Sequence, residues 1–352
     1  MHATSPAAVR WIIDAHSAAA AGSYRTMTRM PLSASSPQPN TMKTPALSRA
    51  LIALTFTLLA APLSRADLLL SAFGGDAIVR YDSTLSTFST FATHPSMDGP
   101  AAMIYGADGN LYVLNEFSHN VLRFNGTTGA FIDEFISSAT LGGAGVTDPD
   151  DMELGPDGNF YVSTHITSPA GAIWKFSGTS GALLSTFATF GATSHTHGLA
   201  FGPGGKVYLG DLGAGVVRQF SSTTGANLGV FATNPLLSLT ADLAFAPDGT
   251  LYVTCDGTNG VQHFSAGGGF LGPLIAPGAG ESYWGILADG GFLYVSNKDT
   301  GTLKKYTDAG VFVADITGGP GSFDIIPFVP EPGAGALLLA GLAGLALRRT
   351  RK

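Results

Sequence analysis

One stretch decides the fold: Leu111-Tyr-Val-Leu-Asn-Glu-Phe-Ser-His-Asn-Val-Leu-Arg-Phe-Asn125. It reads as an apolar strand, a polar loop and a second strand, and versions of it recur between residues 67 and 328. The position of its Tyr has counterparts at 69, 161, 208, 252 and 294, and successive copies are 43, 49, 47, 44 and 42 residues apart. A period of this length is typical of propeller blades. The sequence therefore predicts six structural units.

Each unit contains the same pieces in the same order. It begins with a strand and a Pro/Gly turn, as in Asp242-Leu-Ala-Phe-Ala-Pro-Asp-Gly249, because Pro fixes φ and Gly accepts positive φ. The Tyr strand follows, then a strand that ends in an aromatic residue, then a Gly/Thr turn and an outer strand. Four strands per unit and no helical segment predict an all-β fold, a six-bladed β-propeller over residues 67–328. A parallel β-helix competes, but its coils are shorter than these units.

The two ends of the repeat region are expected to meet. The first unit lacks its innermost strand, since the repeat begins directly at the Tyr-strand equivalent, Leu68-Leu69-Leu70. The missing piece stands after the sixth unit, where Ser322-Phe-Asp-Ile-Ile-Pro-Phe328 matches Thr240-Ala-Asp-Leu-Ala-Phe245. We therefore expect the C-terminal segment to complete the first blade and to pair an edge that would otherwise be open.

The repeat also resembles a known group of proteins. Its Pro-Asp-Gly turn, Leu-Tyr-Val strand and terminal aromatic residue are similar to those of NHL-repeat and gluconolactonase-like six-bladed propellers. These families include metal-dependent lactonases, lyases and many non-catalytic binding proteins. The resemblance implies a fold and leaves the activity open, because one fold serves several functions.

The first 66 residues are predicted to lie outside the propeller. Residues 1–41 have the composition of a disordered tract or of sequence upstream of the true start. Residues 42–66 read as a secretory signal peptide, with Lys43 and Arg49, an apolar run over 50–63 and a small-residue cleavage site at 64–66. A buried helix or an uncleaved anchor is the alternative for this segment.

The last 24 residues have three ordered parts. They are the motif Pro330-Glu331-Pro332, an apolar Gly/Ala/Leu run over 333–347, and a basic end, Arg348-Arg-Thr-Arg-Lys352. The apolar run predicts a transmembrane sorting helix whose basic end stays cytoplasmic. The three parts, residues 329–352, resemble the PEP-CTERM sorting signal of Gram-negative bacteria that make extracellular polysaccharide. This resemblance implies processing by an exosortase and delivery to the cell envelope, surface or extracellular matrix; a plain membrane anchor is the alternative.

Net charge limits the classes of binding partner, and cysteine content limits the kinds of disulfide or metal site. Residues 67–328 carry eight Lys or Arg against twenty-three Asp or Glu, a net charge of −15. Nucleic acid is therefore an unsuitable partner, since phosphate binding needs clustered positive charge. Extracellular polysaccharide or a surface protein fits an exported protein better. Cys255 is the only cysteine, which excludes a disulfide within the chain and any Cys-x-x-Cys site.

Candidate chemistry lies where the innermost strands begin, because in a propeller these positions converge on the central channel. Asp oxygens suit a hard divalent cation such as Ca²⁺, and His nitrogen also allows Zn²⁺. A metal there would act as a Lewis acid, with one His as general base. The alternative is structural, because Asp in such turns often accepts backbone N–H bonds. The predicted metal ligands are Asp150, Asp151, His195, His197, Asp242 and Asp324.

Two aromatic residues complete the predicted site. Tyr283 and Trp284 begin another innermost strand and are predicted to form a rim on which a sugar ring stacks; blade packing is the alternative. Glu153 is set aside, because its position after Asp151 is taken to place it on the other face of the strand, and so the Glu, Asn and Asp set of the lactonases cannot be mapped. The sequence thus predicts an exported, non-catalytic binding or scaffold propeller. The alternative is a metal-dependent lactonase-like or lyase-like enzyme with its site at the channel.

Overall fold

The computed structural model describes residues 67–82, 84–164, 171–190, 196–257, 259–298, 300–316 and 321–329. Two predicted N-terminal segments lie outside these residues: the disordered or upstream tract (1–41) and the signal peptide (42–66). The sorting motif Pro330, Glu331 and Pro332 and the apolar and basic tail after it also lie outside them. His195 does too. Within the described part of the chain, no helix has the length and apolar character needed to cross a membrane.

The described chain is built of twenty-four short strands. The first eleven are β1 (Leu68–Ala72), β2 (Ala77–Tyr81), β3 (Phe88–Thr93), β4 (Pro100–Tyr105), β5 (Leu111–Asn115), β6 (Asn120–Phe124), β7 (Phe131–Ile136), β8 (Pro149–Leu154), β9 (Phe160–Thr164), β10 (Gly171–Phe176) and β11 (Leu183–Phe190). The next eight are β12 (Thr196–Gly202), β13 (Lys206–Asp211), β14 (Val216–Ser221), β15 (Asn227–Thr233), β16 (Thr240–Phe245), β17 (Leu251–Cys255), β18 (Gly260–Phe264) and β19 (Phe270–Ile275). The last five are β20 (Tyr283–Asp289), β21 (Phe292–Asn297), β22 (Thr302–Thr307), β23 (Phe312–Ile316) and β24 (Ser322–Pro327).

These strands form six antiparallel, four-stranded sheets, which confirms the six-bladed propeller. Blade 1 has the order β24-β1-β2-β3, and blades 2 to 6 take β4–β7, β8–β11, β12–β15, β16–β19 and β20–β23 in chain order. The innermost strands β24, β4, β8, β12, β16 and β20 contact one another in a closed ring. Their first residues therefore surround one channel, and we call the end at which they begin the upper face.

The C-terminal strand closes the ring as predicted. β24 pairs with β1 in antiparallel register, with Leu69 opposite Ile326. Beyond the strand, the Phe328 backbone N–H donates to the Asp67 carbonyl at 2.7 Å, and the Arg80 guanidinium lies 3.8 Å from the centre of the Phe328 ring. The end of the repeat region is thus held to its beginning by backbone and side-chain contacts.

Aromatic residues pack the blades against one another. The aromatic residues at or next to the end of the third strand of each blade are buried, with exposed fractions between 0 and 6%. Across the seam between blades 2 and 3, for example, Tyr112 lies 4.6 Å from Phe160, measured between ring centres. Burying a large aromatic side chain contributes roughly 1.5–3 kcal/mol. Because each seam buries several such side chains, packing between blades accounts for much of the stability of a chain with no disulfide.

The prediction of a repeat region without helices is wrong in one place. A short helix, α1 (Ser138–Ala144), connects blade 2 to blade 3, and single 3-10 turns occupy Phe73–Gly75 and Pro235–Leu237. The Ser137 hydroxyl caps α1 by accepting a bond from the Thr140 N–H, and Gly145 ends it in a left-handed conformation. Leu141 of α1 is buried in the core cluster between blades 2 and 3. The extra residues of α1 account for the longest repeat spacing, which falls here.

Candidate functional site

A β-bulge near the start of each innermost strand shapes the channel. In all six blades this strand gains one residue over the second strand; in blade 5, for example, Thr240 and Asp242 face the consecutive residues Cys255 and Thr254. A bulge re-aims the local side chains. In blades 1, 3, 4 and 5 two consecutive residues line the upper cavity of the channel. Together with the equivalent residues of blades 2 and 6, these twelve positions form two rings.

The upper ring holds a buried contact between a histidine and an aspartate. It consists of Ala101, Asp150, His197, Ala241, Trp284 and Phe323, which line a cavity of about 30 Å³. The His197 Nδ1 atom lies 2.7 Å from Asp150 Oδ2, and the two side chains are only 2% and 5% exposed. The His197 ring also meets the Trp284 ring edge to face at 5.1 Å. The structure thus brings together these two predicted ligands, although the cavity is about the size of one water molecule.

The second ring, which we call the Asp ring, alternates carboxylates with small residues. Asp324, Asp151 and Asp242 stand in blades 1, 3 and 5, and Ala102, Gly198 and Gly285 stand in blades 2, 4 and 6. Small residues are required where the blades approach closely, because a Cβ atom on Gly285 would lie 2.4 Å from the Phe323 carbonyl oxygen. The alternation gives the channel an approximate threefold repeat of blade pairs.

Each Asp of the ring clamps its blade to the next one. Asp324 Oδ1 accepts from the N–H of Ile325 in its own strand at 2.7 Å, and Oδ2 accepts from Met103 of blade 2 at 2.7 Å. Asp242 repeats the pattern with Leu243 and with Ile286 of blade 6. Asp151 does so with Met152 and with Leu199 of blade 4. These contacts match the structural alternative for these residues, in which Asp accepts backbone N–H bonds.

Hydroxyl groups satisfy the backbone N–H groups that the bulges release. The N–H of Asp324 donates to Ser71 Oγ at 2.8 Å, and that of Asp242 donates to Thr254 Oγ1 at 2.9 Å. The Thr254 hydroxyl in turn donates to the Trp284 carbonyl in the next blade. Buried polar groups of the backbone are costly without such partners. Ser71 and Thr254, at this position of the second strand, thus belong to the same clamp system.

The three carboxylates of the Asp ring hold their protons more tightly than usual, because their pKa values are raised. Burial, with the charge of Asp324, raises the pKa of Asp151 to about 7, and burial raises the pKa of Asp324 to about 6. Burial and the charges of Asp151 and Asp324 raise the pKa of Asp242 well above its ordinary value. The backbone N–H bonds oppose these shifts without cancelling them. A fully ionised ring is therefore unfavourable near neutral pH.

The Asp ring fits a metal ion poorly. Among the described residues, no three or more His, Cys, Asp or Glu side chains form a group that could hold one. Each Asp of the ring directs both oxygens at backbone N–H groups, whereas Ca²⁺ needs six to eight oxygens turned toward one point. The predicted metal site stays a prediction.

Below the Asp ring lies a third ring with a single polar member. It consists of Ile104, Glu153, Ala200, Ala244, Leu287 and Ile326, two residues further along each innermost strand. The expectation that Glu153 lies on the opposite face of the strand from Asp151 was wrong. Residues two apart on a strand share a face, and Asp151 and Glu153 line the same cavity. Burial and the charges of Asp151 and Asp324 raise the pKa of Glu153 well above its ordinary value.

Of the two predicted rim residues, the structure places only Trp284 at the channel mouth. Tyr283 is 0% exposed; its hydroxyl donates to Glu281 at 2.8 Å and lies 3.1 Å from the Tyr306 hydroxyl inside blade 6. Consecutive strand residues point to opposite faces, so Tyr283 turns inward while Trp284 faces the channel. The rim prediction is therefore wrong for Tyr283, whose pKa burial raises far above its ordinary value.

A row of aromatic rings, which we call the aromatic strip, crosses the upper face. Trp284 lies 4.2 Å from Phe323, and Phe323 stacks on Phe73 at 3.9 Å. Phe73 meets Phe117 at 5.1 Å, and Phe117 is 57% exposed. The sequence analysis missed Phe73 and Phe117 because they lie in loops between the second and third strands of blades 1 and 2. An aromatic residue within the polar run Glu116-Phe117-Ser118 was the available signal.

A polar groove continues from the end of the strip. The Lys298 Nζ atom lies 4.2 Å from the centre of the Trp284 ring and pairs with Asp256 at 3.0 Å. Both side chains line a cavity of about 550 Å³ together with Glu281, Ser282 and the segment 277–280. The strip and the groove thus join an apolar platform to charged and hydroxyl groups on one face.

Comparisons with known proteins support the fold. No protein-family model matches the sequence, and no curated protein matches it significantly. A chain of a nidogen/laminin complex superposes with a TM-score of 0.60 at 14% identity, covering 76% of this chain and 100% of that one. A gluconolactonase from Xanthomonas campestris gives 0.51 at 17% identity, covering 66% and 79%.

A third similar structure is an inactive virginiamycin B lyase from Staphylococcus aureus with quinupristin. It gives a TM-score of 0.50 at 15% identity, covering 66% of this chain and 74% of that one. At these identities the likeness concerns the fold alone, which confirms the expected similarity to gluconolactonase-like propellers. Because the fold is shared by two enzymes and by a chain of a protein complex, it does not select an activity.

Proposed function

We propose that this protein is an exported, non-catalytic propeller that binds carbohydrate on its upper face. The aromatic strip carries the proposal. Sugar rings present an apolar C–H face, and partly exposed aromatic rings offer a flat apolar surface against which that face packs. Clustered apolar side chains on a surface commonly mark an interaction site.

The polar groove supplies the second half of the proposed site. Sugar hydroxyls need hydrogen-bond partners, and the groove offers Asp256, Ser282 and Lys298 directly beside Trp284. Binding sites commonly combine an apolar wall with a few placed polar groups. A ligand of several sugar units would lie along the strip and place one end in the groove. Extracellular polysaccharide has this extended, hydroxyl-rich chemistry.

Export is the second part of the proposal and rests on the sequence. The predicted signal peptide at 42–66 and the sorting tail at 329–352 support delivery to the envelope, surface or matrix after processing by an exosortase. Cell fractionation of a strain producing a tagged chain tests this part. We expect the protein with the unaltered sequence to be found outside the cytoplasm. The variant in which Pro330, Glu331 and Pro332 are replaced by Ala should stay in the membrane.

Glycan binding is tested on a carbohydrate array and then by calorimetry with the best ligand. We expect Phe117→Ala and Trp284→Ala each to weaken binding about twofold to tenfold, because an aromatic contact is worth roughly 0.5–1.5 kcal/mol. Phe88→Ala is the matched control, since Phe88 is 42% exposed on the outer strand of blade 1. Equal affinities for all four proteins, or an array on which nothing binds, would contradict the proposal.

A metal-dependent lactonase-like or lyase-like enzyme is the second candidate. The similarity in fold to a gluconolactonase and a lyase, with the carboxylates of the channel, favours it. Elemental analysis of the purified protein and melting curves with added Ca²⁺ or Zn²⁺ test it. No bound metal and an unchanged melting temperature would remove it.

A further inference from the structure

The lower end of the channel is a separate cavity, which we call the lower funnel. It has a volume of about 260 Å³ and is lined by the third ring and the residues next to it. Asp151, Asp242 and Asp324 line both this cavity and the small upper one, so the Asp ring divides the two. The lower funnel thus opens away from the aromatic strip and takes no part in the proposed carbohydrate site.

The walls of the lower funnel are apolar. Five of the six third-ring residues are Ile, Leu or Ala, and Ile104, Leu287 and Ile326 keep part of their surface open to the cavity. Glu153 is the exception. A carboxylate among apolar walls is unfavourable when charged unless a cation accompanies it. The lining contains no Lys, Arg or His, and no described residue forms an ion pair with Glu153.

The chemistry of the walls limits the class of cation that the lower funnel can bind. An inorganic divalent ion needs several oxygens around it, and at the level of Glu153 the other five positions carry none in their side chains. An alkylammonium ion differs, because its N–H groups donate to carboxylates while its hydrocarbon part packs on Ile and Leu. The funnel presents both surfaces side by side, because the Glu153 carboxylate shares the third ring with Ile and Leu side chains.

We infer that the lower funnel binds a small organic cation, an amine with an aliphatic body, whose ammonium group contacts Glu153 below the Asp ring. The aliphatic part packs against Ile104, Leu287 and Ile326, which stand beside Glu153 in the third ring. In its ionised form the Glu153 carboxylate is complementary to the charge of the ammonium group.

Calorimetry of the full chain with n-hexylammonium tests this inference. We expect saturable binding, affinity that falls along the series hexyl-, butyl- and methylammonium, and no binding of n-hexanol. Glu153→Gln should weaken hexylammonium binding about tenfold or more, because it removes one charge-assisted contact. Glu134→Gln, on the exposed outer strand of blade 2, should leave the affinity unchanged.

A second variant keeps the inference testable if Glu153→Gln does not fold. Ala244→Lys places a tethered ammonium group in the third ring, and we expect it to raise the melting temperature and to abolish hexylammonium binding. Three results would overturn the inference: equal stabilisation by CaCl₂ at matched ionic strength, no dependence on alkyl length, or equal affinity in Glu153→Gln and the unaltered protein. None of these outcomes bears on the carbohydrate assay, which probes the opposite face.

Discussion

Raising the pH from 5 to 8 should destabilise this protein, which is the reverse of the usual behaviour of paired surface carboxylates. Folding raises the pKa of Asp151 to about 7 and that of Asp324 to about 6. At pH values below these, the two carboxyl groups are protonated in the folded state, whereas they are already ionised in the unfolded chain. The folded state then binds more protons, so the free energy of unfolding falls as pH rises. Glu153 and Asp242 act in the same direction.

The magnitude follows from the pKa values. One pKa unit corresponds to about 1.4 kcal/mol. Between pH 5 and pH 8, the ionisation of Asp151 therefore lowers the free energy of unfolding by about 3 kcal/mol, and that of Asp324 lowers it by about 1 kcal/mol. The loss is complete by about pH 8. Because the three Asp residues of the ring interact, the steps belong to the ring as a unit. Carboxylates with a lowered pKa, such as Asp157 at about 2, change stability only below this range.

Urea unfolding at pH 5, 6, 7 and 8 and constant ionic strength measures this loss. Asp324→Asn should reduce the difference between pH 5 and pH 8 by about 1 kcal/mol. Asp308→Asn, on an exposed turn of blade 6, should leave the difference as it is. A free energy of unfolding that stays level or rises from pH 5 to pH 8 would refute the reasoning, because it would mean that the ring is ionised in the folded state without cost.

Two further predictions concern the ring of blades. Gly285→Ala should destabilise the protein by about 1–3 kcal/mol, because the new Cβ would strike the Phe323 carbonyl across the seam. Gly142→Ala, in α1 with open space around it, should be neutral or stabilising by up to about 1 kcal/mol. Thermal melts of the pair check this, and equal melting temperatures would contradict it. A chain ending at residue 321 lacks β24 and should fail to melt cooperatively by circular dichroism, whereas one ending at residue 329 should melt like the full chain; cooperative melting of both would show that closure is dispensable.

The architecture could be predicted from the sequence because the repeat carries it redundantly. Six Tyr-strand positions, the Pro-Gly turns and the match of residues 322–328 to 240–245 all indicate one ring, and β24 pairs with β1 accordingly. The convergence of Asp150, Asp151, His197, Asp242 and Asp324 on the channel followed from the same repeat. Regular alternation with closure is a signal that a single sequence preserves well.

The details of the site could not be predicted, for local physical reasons. The bulges decide which neighbouring side chains enter the channel, and nothing in the composition of the strands marks them. The inward turn of Tyr283 and the sharing of one face by Asp151 and Glu153 depend on counting from the bulge. The role of the Asp ring depends on N–H groups of the neighbouring blade, and periodicity within one repeat does not report on these partners.

The placement of Asp on every second blade makes the mechanical unit of this ring a two-blade module. Carboxylates bridge blades 1 and 2, 3 and 4, and 5 and 6, and the other three seams lack this particular bridge. Circular permutants with new termini between modules would keep all three bridges, whereas termini within a module would cut one. A trimer of identical two-blade chains with this pattern would reproduce the Asp ring with exact threefold symmetry.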